Sequence, residues 1–108
     1  MEKINKTIKF NKLLASYGGL LSAAQKEILE SYYLYDLSIS EIATERGVSR
    51  AAIEDALQKG NAKLEEIESV VHAVENQEEI LKITAEMKEN TTNPELLKGI
   101  ELIERRFK

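Results

Sequence analysis

The sequence predicts an all-α protein: a three- to four-helix domain containing a helix-turn-helix, followed by a C-terminal amphipathic helical extension. Three observations predict it. Residues 38–58 carry the internal spacing of a helix-turn-helix, apolar residues elsewhere recur at intervals of three and four, and no stretch shows the two-residue alternation of a strand. The expected domains are residues 1–61, which hold the motif, and the extension at 62–108, with a break near 90–94.

The first helix is expected from about Lys3 to Tyr17, with Ile4, Ile8, Phe10, Leu13 and Leu14 turned inward and Gly18-Gly19 stopping it. Ser22 with Gln25 reads as a capping box that opens a second helix to about Tyr35, its inward residues being Ile28, Leu29 and Tyr32. In the motif, Ile39, Ile42 and Ala43 give a short helix one apolar face. Gly47 can turn at positive φ, and Val48, Ile53 and Ala56 or Leu57 carry the buried face into the next helix. Ser38 with Glu41 forms another capping box, and Ser49 can cap the second helix. Ala43 lies four residues before Gly47, where closely crossing helices admit only a small side chain.

Gly60-Asn61 marks a kink or a break. Beyond it Leu64, Ile67, Val71 and Val74 are spaced as the seam of a helix packing along another helix, and Ile80, Ile83 and Met87 resume the stripe after a phase shift. Asn90-Thr91-Thr92-Asn93-Pro94 is the clearest break, with Asn93 capping and Pro94 at the first helical position. The last helix presents Leu96, Ile100, Ile103 and Phe107. A long amphipathic helix overhanging so small a domain needs a partner surface, so a homodimer is expected, with Leu64, Ile67, Val71, Val74, Ile100, Ile103 and Phe107 as its seam.

Composition narrows the function classes. The chain has 108 residues, no Cys and a net charge of −4. Disulfides and thiolate metal sites are excluded. No apolar run approaches the roughly 20 residues that span a bilayer, and the N-terminus lacks a secretory apolar region, so a soluble cytoplasmic protein is expected. Four Lys against one Glu make residues 1–12 basic, while residues 62–90 are strongly acidic. Lys3, Lys6, Lys9 and Lys12 spiral around the helix, which suits a solvated surface better than a phosphate track.

Nothing in the chain reads as a catalytic or cofactor site. His72 is the only histidine and stands on the flank of a helical stripe with no nucleophile nearby; Glu65, Glu66, Glu75, Glu78, Glu79 and Glu86 lack the Glu-x-x-His pair of a di-metal bundle. No enzyme activity, metal or cofactor is expected. Tyr32 reads as structural, whereas Tyr33 and Tyr35 are open between a boundary position and a contact surface that could stack on bases.

The residues placed to meet a nucleic acid or another partner are Arg46, Ser49, Arg50, Glu54, Asp55 and Lys59. Arg50 suits guanine or phosphate. Glu54 and Asp55 oppose a polyanion, so the motif is preserved better as a packing unit than as a reader of DNA.

From about Asn11 to Glu68 the chain resembles the YlxM-type family of small bacterial proteins, whose helix-turn-helix is similar to region 4 of sigma factors. The matching residues are Asn11-Lys12-Leu13-Leu14 with Tyr17, Leu20-Leu21 with Gln25, Tyr32-Tyr33 followed by Asp36, Ser40-Glu41-Ile42-Ala43, Val48-Ser49-Arg50 with Ala52 and Asp55, and Leu64-Glu65 with Glu68. The resemblance implies an all-α, dimeric, cytosolic protein linked to the signal recognition particle pathway, without enzyme activity. Its partners would be the particle's RNA or its GTPase components. The alternative is a DNA-binding transcriptional regulator, for which dimerisation would place two motifs about one helical turn apart.

Overall fold

The computed structural model describes residues 2–108, which divide into two compact units, the second being His72–Lys108. All regular structure among the described residues is helical: α1 (Glu2–Tyr17), α2 (Ala23–Tyr33), α3 (Ile39–Arg46) and α4 (Arg50–Val71) in the first unit, α5 (Ala73–Glu89) and α6 (Pro94–Phe107) in the second. The units divide at Val71/His72 rather than at Asn61/Ala62, because α4 runs unbroken through Gly60-Asn61.

The first unit packs α1, α2 and α3 against α4. Its core is Phe10, Leu13, Leu14 and Tyr17 of α1, Ile28, Leu29 and Tyr33 of α2, Ile42 and Ala43 of α3, and Ile53, Leu57 and Leu64 of α4. Ile4 and Ile8 were expected inside and are 60% and 50% exposed, since the inward stripe starts only at Phe10 and the first two turns of α1 project past the core. Gly60 explains the continuity of α4: a Cβ there would lie 2.7 and 2.9 Å from the two Cδ atoms of Leu29, so glycine lets α2 and α4 approach closely without breaking the helix.

Polar ties hold the ends of these helices. Asn11 Nδ2 donates to the Tyr33 carbonyl (2.9 Å), filling an open acceptor at the end of α2, and the Tyr17 hydroxyl donates to Glu68 (2.5 Å). Lys9 pairs with Glu65 at 2.9 Å. The order of the two tyrosines is the reverse of that expected. Tyr33 is buried, stacked on Phe10 at 5.1 Å, and Tyr32 is half-buried, because α2 ends at Tyr33 and rotates that ring beneath α1.

The motif is built as its caps require. The Ser38 hydroxyl accepts from the Glu41 N–H and the Ser38 N–H donates to the Glu41 carboxylate, both at 3.0 Å, and this backbone bond holds Glu41 below the ordinary carboxylate pKa. Gly47 ends α3 at φ 66°, ψ 36°, in the left-handed region. Val48 is 46% exposed rather than buried; it lies in the turn itself, with Ile42, Ala43, Ile53 and Leu57 filling the space between the helices. Gly47→Val should cost about 1–3 kcal/mol of stability, read as a lowered thermal midpoint. Ala43 is 5% exposed between α3 and α4, and Ala43→Leu should cost a similar amount, about 1–3 kcal/mol, by overpacking.

The second unit is a helical hairpin. Asn90 ends α5; Asn93 accepts from the Glu95 N–H (2.9 Å) and Pro94 opens α6. The buried stripe of α6 holds Ile100 and, unexpectedly, Glu104, while Leu96 and Ile103 are 56% and 42% exposed. Glu104 is tolerated inside because all its contacts are complementary. Lys88 reaches Oε1 at 2.5 Å, the Thr84 hydroxyl donates to Oε2 at 3.1 Å, and Lys108 lies 3.8 Å from Oε1. Gln77 Nε2 donates to the Phe107 carbonyl.

The hydrogen bond from Lys88 holds the Glu104 carboxyl below its ordinary pKa of 4.5, outweighing the opposing effect of burial. A depressed folded-state pKa contributes stability that is present above the unfolded value and lost as pH falls through the folded one. The second unit should therefore loosen below about pH 4.5. Amide exchange of α5 and α6 between neutral and acidic pH tests this, and Glu104→Gln should flatten the dependence.

Candidate nucleic-acid or partner interface

The exposed end of the helix-turn-helix is where α3, its turn and the first two turns of α4 meet solvent. Among the sequence-predicted residues, Arg46 ends α3, Ser49 precedes α4, and Arg50, Glu54, Asp55 and Lys59 follow along α4; all six are exposed. Ser49 is engaged as a cap, its hydroxyl accepting from the Ala52 N–H at 3.1 Å. Ala51 stands beside Arg50 and offers only a methyl group.

The charges at this end largely cancel. Arg46 is held by Glu27 of α2 at 3.1 Å, so its charge is anchored across the motif as well as turned outward. Lys59 pairs with Asp55 one turn away at 3.0 Å. Arg50 is the one cation of the six without an acidic partner among the described residues. Such exposed pairs add only about 0–1 kcal/mol of stability, but they must be opened or tolerated by any incoming phosphate.

The seven residues expected to form one dimer seam are divided by the fold. Leu64 is fully buried within the first unit and Ile100 is buried between α5 and α6, so neither is available to a partner. Ile67, Val74 and Phe107 are half-buried, and Val71 and Ile103 are exposed. The spacing of an apolar stripe is the same whether an intramolecular or an intermolecular helix covers it.

Sequence reasoning missed the Glu104–Lys88–Thr84 cluster and the bond from Asn61 Nδ2 to the Tyr33 hydroxyl (2.8 Å). Glu104 follows Ile100 by four residues, a register that carried a signal, but one-chain periodicity favours the apolar Ile103 beside it. Burial raises the Tyr33 pKa most, with the Asn61 hydrogen bond opposing, so the group remains a hydroxyl. His72 is exposed, its Nδ1 lying 3.3 Å from Glu75. No cluster of metal-binding side chains and no helix long and apolar enough to cross a membrane occurs among the described residues.

Comparison with known proteins places this architecture. A UPF0122 protein of Fusobacterium nucleatum is 38% identical over 98 residues, covering 91% of this chain and 95% of its own length. UPF0122 proteins of Bacillus thuringiensis and Bacillus cereus are each 35% identical over 107 residues, covering 94% of this chain and 97% of theirs. The match is therefore to whole proteins, including the hairpin of α5 and α6. With the UPF0122 profile, "helix-turn-helix protein, YlxM / p13 like", matching residues 4–103, this chain belongs to the UPF0122 family.

Proposed function

We propose that the protein is a non-enzymatic accessory or regulatory factor of the signal recognition particle pathway, acting through RNA or protein contacts made by its helix-turn-helix unit. The pathway is suggested by the resemblance to YlxM-type proteins. The observation that carries the preference over a DNA reader is the charge at the exposed end of α4. Arg46 and Lys59 are paired with Glu27 and Asp55, and Glu54 adds a further carboxylate. A DNA-binding face draws most of its affinity from unopposed cations along phosphates. Here Arg50 alone serves.

Selection from random duplex DNA at about 0.15 M salt, a near-physiological screening condition, tests this alongside titration of the particle's RNA and GTPase components. The expected result is saturable binding to a particle component, with weak, salt-sensitive and sequence-independent duplex binding. Recovery of one palindromic or direct-repeat consensus, without binding to particle components, would favour a transcriptional regulator instead.

We also propose that the protein forms a homodimer through the hairpin of α5 and α6. Exposed Ile83 and Met87 on α5 and Leu96 and Ile103 on α6 leave apolar surface on a helix pair too short to bury a full core alone. A second copy supplies the complementary surface. Light scattering should give a dimer for the full chain and a monomer for a chain ending at Asn90; a monomeric full-length mass at tens of micromolar overturns it.

A further inference from the structure

Among the described residues, no packing calls for glycine at position 99. Gly99 stands in the middle of α6, and a Cβ added there would meet nothing within 4 Å. Glycine weakens a helix interior, and Gly60 shows the usual compensation, a side chain of a neighbouring helix filling the space that a Cβ would take. At Gly99 that space is open, so the backbone of another helix can approach closely.

The residues around Gly99 say what that helix is. At about 100° per residue, Glu95, Leu96, Leu102, Ile103 and Arg106 fall on the same side of α6 as Gly99, and all five are exposed, whereas Ile100 and Glu104 are buried in the hairpin. Three large apolar side chains therefore surround an open glycine. Glu95 closes the N-terminal end of this face and Arg106 the C-terminal end, and neither has an ion-pair partner among the described residues. A face that is acidic at one end, basic at the other and apolar between is complementary to itself in one orientation only. Turned antiparallel, a second copy brings Arg106 beside Glu95 at both ends, Ile103 against Leu96, and Leu102 over Gly99. A parallel copy would set Glu95 on Glu95 and Arg106 on Arg106. We propose that two copies of this chain meet about a twofold axis through an antiparallel pair of α6 helices that cross closely at Gly99. This rests on the homodimer proposed above and identifies the contact that makes it.

Sedimentation of the full-length protein and its variants tests the pairing. Gly99→Leu should raise the dissociation constant of the dimer about tenfold or more, because the side chain enters the crossing. Leucine is the better helix former and finds open space in the single chain, so circular dichroism should show undiminished helix in the same variant. Arg106→Glu should weaken the dimer severalfold by facing Glu95 with a like charge, and adding Glu95→Arg to that chain should restore it. The chain has no cysteine, so introduced thiols report orientation cleanly. After subunit exchange and mild oxidation, a mixture of Glu95→Cys and Arg106→Cys should cross-link one variant to the other in preference to itself. A dimeric parent that Gly99→Leu leaves at parental affinity, no rescue by the charge exchange, or self-cross-linking of each cysteine variant overturns the antiparallel α6 pair while the homodimer stands through another face. A monomeric parent at tens of micromolar overturns both.

Discussion

Gly60→Val should lower the stability of the first unit by about 2–3 kcal/mol, because the added branch enters space already filled by Leu29. Leu29 is completely buried, and its Cδ atoms lie 2.7 and 2.9 Å from where even a single Cβ would sit, so it has no solvent-facing rotamer to retreat to. In a unit of this size the thermal midpoint should fall by about 4–8 °C for each kcal/mol. The cause can be separated from helix propensity, which favours almost any residue over glycine in mid-helix. In a Leu29→Ala background the clash is gone, and Gly60→Ala should become neutral or stabilising. If Gly60→Val melts with the parent, α2 and α4 do not approach as closely as described.

Leu64→Ala should cost about 2–5 kcal/mol, the range for deleting a fully buried leucine. The informative part is its concentration dependence. A residue buried within its own unit destabilises the folded chain equally at every protein concentration, whereas a residue in a dimer seam loses stability through dissociation. Urea melts of the variant across a hundredfold range of concentration should shift the midpoint by a constant amount. Val71→Ala, at the exposed C-terminal residue of α4, should leave the core of the first unit intact.

The helix-turn-helix was readable in the residues because its signals are local. Ser38, Glu41, Gly47 and Ser49 act within a few residues of themselves, and each makes the cap or turn that its chemistry suggests. The break at Asn93-Pro94 was legible for the same reason. Val48 shows where such reading stops, since its neighbours suggested burial and only the crossing of α3 and α4 leaves it 46% exposed. The candidate contact residues were legible as exposed positions, but their mutual cancellation was partly hidden. Asp55–Lys59 is one helical turn and can be read along the chain, while Arg46–Glu27 joins two helices.

Amino-acid order alone established the all-α class, the motif and its caps, and the acidic balance that disfavours an unaided duplex reader, because these depend on short spacings and on summed charge. Only the tertiary structure decided that α4 continues through Gly60, that Tyr33 rather than Tyr32 is the core ring, and that Glu104 is an interior residue. Periodicity reports that a face must be covered; which helix covers it, and at what distance, is settled by contacts between residues far apart in the chain, such as Gly60 with Leu29 and Glu104 with Lys88.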